Sequence, residues 1–113
     1  MTGRVRQIPR EAWGQELQAL APERPLSWLS VRSDAASGLA TVLPWEPAVS
    51  LGYDPDADCI EVSTPSGVHR IADPLALFSL SSGAGRHRVL VLRFDGGVDV
   101  IDASPPGLHP DTP

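Results

Sequence analysis

The stretch that most constrains this chain is Arg88 to Ala103, RVLVLRFDGGVDVIDA. Val89, Leu90, Val91 and Leu92 form an aliphatic run that suits a strand apolar on both faces, and Asp95-Gly96-Gly97 supplies residues that tolerate positive φ. A central antiparallel hairpin is predicted. A two-residue loop would set Leu92 opposite Asp99 and Val89 opposite Asp102, which pairs apolar with charged side chains. A three-residue loop with Gly97 left-handed instead sets Phe94 opposite Val98, Leu92 opposite Val100, Val91 opposite Ile101 and Arg93 opposite Asp99. The second register is preferred because it makes Arg93 and Asp99 a cross-strand ion pair.

The 113 residues, 42% of them hydrophobic, suit one domain that folds around its own core. The expected fold class is α+β, with an N-terminal amphipathic helix packed on a mostly antiparallel sheet or small barrel of six to eight strands. Residues 1–103 form that single domain, and residues 104–113 form a Pro-rich irregular tail.

Within Ile8 to Ala21, Pro9 suits the first helical position, Glu11 the first turn, and Trp13, Leu17 and Leu20 recur at helical spacing. Gly14 weakens the helix, so docking of its Trp13 face must hold it. Strands are expected at Leu26 to Arg32, Leu39 to Leu43, Ala48 to Tyr53, Cys59 to Thr64 and Val68 to Ala72. Pro44 and Pro47 make Ala48 to Tyr53 an edge strand. Leu75 to Leu80 fits either a strand or a helical turn, and Ser81 to Arg86 reads as a loop.

A net charge of −5 with a pI near 4.9 argues against nucleic-acid binding, which needs a basic face. All nine basic side chains are Arg, which, with the many Ala, Pro and Gly residues, points to a GC-rich bacterial source. The single Cys59 excludes an internal disulfide and a cysteine-based zinc site, consistent with a reducing cytoplasm. No window reaches the roughly 20 apolar residues of a membrane helix, and the opening MTGRVRQIPREAW has no apolar signal core. No membrane association is expected.

Asp54-Pro55-Asp56-Ala57-Asp58 looks like the start of a calcium loop, but Cys59 stands where such a loop needs Gly and Pro65 where it needs Glu. It reads as a solvated acidic turn. Gly83-Ala84-Gly85 lacks the remaining parts of a phosphate loop. His69 and His87 would approach each other only on neighbouring strands, and His109 lies in the tail, so neither a metal nor a cofactor is expected. No catalytic residue is assigned, and a non-catalytic role is favoured over an enzyme. The polar cluster to watch is His69, Arg70 and Asp73. Strand alternation puts His69, Ile71 and Asp73 on one face and Arg70 on the other, so a His beside a carboxylate can form a small ligand site. The plainer reading, with His69 donating to a backbone carbonyl and Asp73 capping the turn before Pro74, stands ahead of it.

Ile8-Pro9-Arg10-x-x-Trp13, Trp28-Leu29, Leu43-Pro44, His69-x-Ile71-x-x-Pro74 and the terminal Asp95-Gly96 hairpin occur in an order and spacing that resembles a family of short bacterial proteins known only as a domain of unknown function. The likeness runs from Ile8 to Ala103. It implies a compact helix-plus-sheet domain in a bacterial cytoplasm and supplies no activity or catalytic residue. Two functions follow as expectations. The first is a non-catalytic interaction module that binds a protein partner or pairs as a homodimer through the edge at Ala48 to Tyr53 or an apolar patch. The alternative is a small-molecule binder or enzyme with a pocket near His69, Arg70 and Asp73.

Overall fold

Alternating apolar residues make strands almost everywhere in this chain, and the computed structural model arranges them as two antiparallel sheets. It describes residues 4–20, 27–35, 38–81 and 86–105. The strands among these are β1 Arg4–Ile8, β2 Trp28–Ala35, β3 Gly38–Pro47, β4 Ser50–Asp54, β5 Cys59–Thr64, β6 Gly67–Ala72, β7 Pro74–Ser81, β8 His87–Arg93 and β9 Val98–Ser104. Six form a sheet in the order β1-β7-β8-β9-β2-β3, and β4-β5-β6 form a second. The sheets do not close into a barrel. The broad α+β expectation holds, while the barrel alternative and the count of six to eight strands give way to nine strands in two sheets.

The helix begins with a 3-10 turn at Arg10–Ala12 and continues as α1, Trp13–Leu20. Pro9 is the residue before the turn, in extended conformation, one place earlier than expected. Trp13 and Leu17 are buried, and the Trp13 indole donates to the Ile8 carbonyl at 2.8 Å. Docking therefore holds this helix despite Gly14. Arg10 stacks over the Trp13 ring and donates to Tyr53, Asp58 and the Pro74 carbonyl, clasping the helix to both sheets.

One core joins the two layers. Leu29, Val31, Val89, Val91 and Ile101 from the larger sheet meet Leu51, Ile60, Val62 and Ile71 from the smaller. Strands β2, β5, β8 and β9 each contribute two residues spaced by two, as the period of a strand requires. Glu46 of β3 accepts from Thr64 Oγ1 and the Ser66 amide, both at 3.0 Å, fastening the larger sheet to the β5–β6 turn.

Several boundaries move. The strand β1 was not expected, and Leu75 to Leu80 resolves as part of β7. Pro44 and Pro47 do not end their strand, because β3 is an edge and a missing amide there costs no ladder bond. Ala48 and Val49 precede β4 rather than belonging to it. Most of the expected loop at 82–85 and of the tail, at 106–113, lies outside the described residues.

The β8–β9 hairpin is central, but its register differs from the expected one by two residues. Leu92 pairs with Val98, Val91 with Asp99, Leu90 with Val100 and Val89 with Ile101. Hydrogen bonds from the Arg93 amide to the Gly97 carbonyl and from the Gly96 amide to the Arg93 carbonyl enclose a three-residue loop at 94–96. Gly96, with φ of 90°, takes the left-handed position assigned in the sequence to Gly97. Arg93 therefore lies opposite Gly97. A Cβ at Gly97 would overlap its guanidinium, which would have to move aside. Shifting by two keeps every side chain on its face, and Arg93 still reaches Asp99 diagonally.

Candidate functional site

The two sheets part at one end into a cleft of about 410 Å³, with β6 as one wall and the tip of the β8–β9 hairpin as the other. All three residues singled out in the sequence line it. Ser33, Arg93, Phe94, Asp95 and Asp99 join them in the lining.

The floor is Asp99, which is 1% exposed. Its presence on the core face of β9 follows from its parity with the buried Ile101. A buried carboxylate is costly unless donors surround it, and here they do. Arg93 Nη1 donates at 2.6 Å, and His69 Nε2 stands 3.3 Å from the other carboxylate oxygen. Burial pushes the Asp99 carboxyl upward, yet hydrogen bonds from His69, Ser33 and Arg93 outweigh it and hold the group below its ordinary value. Arg93 is the hub. Besides Asp99 it donates to Asp34 at 2.7 Å, Asp95 at 3.2 Å and Ser33 at 3.3 Å. The carboxylates of Asp99 and then Asp34 raise its pKa, so the guanidinium stays charged. Asp95 also accepts from the Gly97 amide, which lowers its pKa and fixes the loop.

His69 thus does find a carboxylate, but the wrong one was expected. Asp73 has φ of 51° and sits at the bend between β6 and β7, where its amide donates to the Asp58 carbonyl and its carbonyl accepts from the Phe94 amide. Its backbone pins the hairpin tip to β6, and its carboxylate has no partner among the described residues. Among the described residues His69 makes no hydrogen bond to a backbone carbonyl, and its Nε2 lies against Asp99. Arg70 projects to the opposite face from His69, as expected, and donates to Glu61 at 2.9 Å. His69 and His87 lie in different sheets and are not strand neighbours.

Asp99 was seen in the sequence only as a partner for Arg93. The available signal was a lone carboxylate inside Val98-Asp99-Val100-Ile101, an apolar run where a charge must be paired.

The acidic turn at Asp54 to Asp58 joins β4 to β5. Asp54 accepts from the amides of Asp56 and Ala57, while Asp58 accepts from Tyr53 at 2.7 Å and Arg10 at 3.0 Å. These carboxylates serve the turn and the helix clasp. Cys59 follows it with its thiol pushed up by burial, which disfavours the reactive thiolate.

The wall made by β6 is a sheet edge. Opposite residues exchange both hydrogen bonds only at alternate antiparallel pairs, and the Asp73 amide bond to Asp58 fixes which ones. Gly67, His69 and Ile71 face β5, so the amides and carbonyls of Val68, Arg70 and Ala72 point outward. Among the described residues no strand pairs with them. The corresponding strand on the other side, β4, is also an edge but has α1 packed along it. Beside the open edge stand two exposed apolar side chains, Val68 at 56% and Phe94 at 78%. Comparisons of the chain with family models, curated proteins and solved structures found no match.

Proposed function

We propose that this protein is a non-catalytic interaction module whose ligand is an extended segment of a protein partner, added as a strand to β6 and covering the cleft. The observation that carries this reading is the open edge of β6 forming one wall of a cleft. An edge offers main-chain hydrogen bonds at Val68, Arg70 and Ala72, and a flanking pocket gives side-chain specificity, the two ingredients of strand addition.

The chemistry of the cleft selects the segment. Asp73 has an unpartnered carboxylate, Asp95 is exposed, and the Arg93 guanidinium is already engaged by Asp34, Asp95 and Asp99. A basic side chain flanked by apolar residues suits this lining, the latter resting on Val68 and Phe94. The homotypic form pairs β6 with β6 of a second copy about a two-fold axis, which gives a homodimer. This moves the docking edge from Ala48 to Tyr53, where α1 lies, to β6.

A small-molecule reading of the same cleft has one observation in its favour, its volume of about 410 Å³, within the usual span of ligand pockets. Selection from a library of displayed peptides separates the readings. Strand addition predicts binders with a basic residue between apolar ones, all lost on Arg70→Pro, which removes an outward amide without breaking the β5–β6 ladder. Peptides that bind Arg70→Pro equally well would refute the strand-addition reading. Sedimentation of the free chain at tens of micromolar tests the homodimer.

A further inference from the structure

The hairpin that closes this cleft with its turn lines a second pocket with its open end. That pocket has a volume of about 310 Å³ and is bounded by Trp45, Leu80, Arg86, His87, Arg88 and Asp102. We propose that it binds a small organic anion, a carboxylate or phosphate carried on an apolar or planar body.

The decisive group is Arg86. Its Nε is shut off from solvent and has no hydrogen-bond partner among the described residues. Neither does its guanidinium pair with a described carboxylate. Arg86 thus lines the pocket with a guanidinium that no described carboxylate neutralises, which leaves it available to an acceptor carried by a ligand. Among the described residues the only carboxylate lining the pocket is Asp102, and Arg88 and Arg32 already donate to it at 2.7 and 3.1 Å. Arg86 and Arg88 thus line a pocket whose one described carboxylate is already shared with Arg32, in a chain whose net charge is −5. This local reversal of sign, beside an unsatisfied fork donor, is the electrostatic form of an anion site.

The other wall sets the body of the ligand. Trp45 and Leu80 are half-buried and offer apolar and aromatic surface next to the cations. A bare inorganic ion would leave that surface wet. A polyanion such as nucleic acid would be repelled by the acidic remainder of the chain, whereas a small anion with an apolar body uses both walls.

Calorimetric titration of the whole protein with benzoate, phenyl phosphate and inorganic phosphate tests this. Benzoate and phenyl phosphate share one body, so their ranking tells carboxylate from phosphate. Saturable binding of either, tighter than inorganic phosphate, is expected. Arg86→Met should weaken it about tenfold or more, as loss of a charge-assisted hydrogen bond implies. Arg86→Lys should recover part of the affinity, Trp45→Ala should reduce it, and Arg70→Pro in the first cleft should leave it unchanged. Equal thermal unfolding of Arg86→Met and the parent separates lost binding from lost fold. No saturable binding by any of the three probes at millimolar concentration, or binding indifferent to Arg86→Met, would overturn the proposal.

Discussion

Asp99 and Asp102 stand three residues apart on β9 and belong to opposite ends and opposite faces of one hairpin. Asp99 points into the core and is held by His69, Arg93 and Ser33, while Asp102 points outward and is shared by Arg32 and Arg88. The side chain of Asp99 is 1% exposed and that of Asp102 14%. Their partners differ more. Arg93 is 18% exposed and Arg88 50%, so water can replace Asp102 for Arg88 but cannot readily replace Asp99 for Arg93. Strand parity, not residue type, decides which carboxylate is part of the structure and which is free to share its arginines with a ligand.

Removing each carboxylate breaks that comparison most directly. Asp99→Ala leaves a largely buried guanidinium short of its closest partner and should destabilise the fold by about 3 kcal/mol in chemical denaturation. The same site carries a pH signature. Because the folded Asp99 carboxyl lies below its ordinary value, its stabilisation is present above the unfolded value of about 3.9 and is lost as pH falls through the folded one. Asp99→Asn should therefore be less stable than the parent at neutral pH, and the gap should narrow in acid below about pH 4. A gap independent of pH would mean that Asp99 is not charged in the fold.

Gly97→Ala approaches the same cluster from the backbone side. Its Cβ would push the Arg93 guanidinium away from Asp99 and Asp34, at about 2 kcal/mol, visible as a lowered denaturation midpoint. The smallest effect belongs to Asp102→Ala, which should cost about 1 kcal/mol, since its arginines are partly solvated and exposed pairs contribute little. Equal losses for Asp99→Ala and Asp102→Ala would remove the distinction between the two faces.

Strands with clean alternation were legible in the sequence, and β5 begins and ends where its pattern does, at Cys59 and Thr64. The helix was legible through Trp13 and Leu17, and the hairpin through its aliphatic run. The strand β1 was not, because Val5 is 68% exposed and the segment joins β7 as an edge strand with little apolar periodicity. The hairpin register was missed by two residues because Gly96 and Gly97 can both take positive φ. What separates them is the Arg93 side chain lying over Gly97, a contact that exists only once Asp34 and Asp99 have drawn the guanidinium across. His69, Arg70 and Asp73 are singled out by local pattern, and all three fall in the lining of one cleft. Asp99 comes from thirty residues away in the other sheet, and no local pattern shows which strands become neighbours.

The central claim is that β6 is an open edge built to accept a strand, and residue-resolved amide hydrogen exchange tests it most directly. In the free monomer the amides of Val68, Arg70 and Ala72 should exchange rapidly while those of His69 and Ile71 stay protected. A selected peptide should then protect Val68, Arg70 and Ala72. Protection of those three amides in the free monomer, or a bound peptide that leaves them exchanging rapidly, would contradict the account.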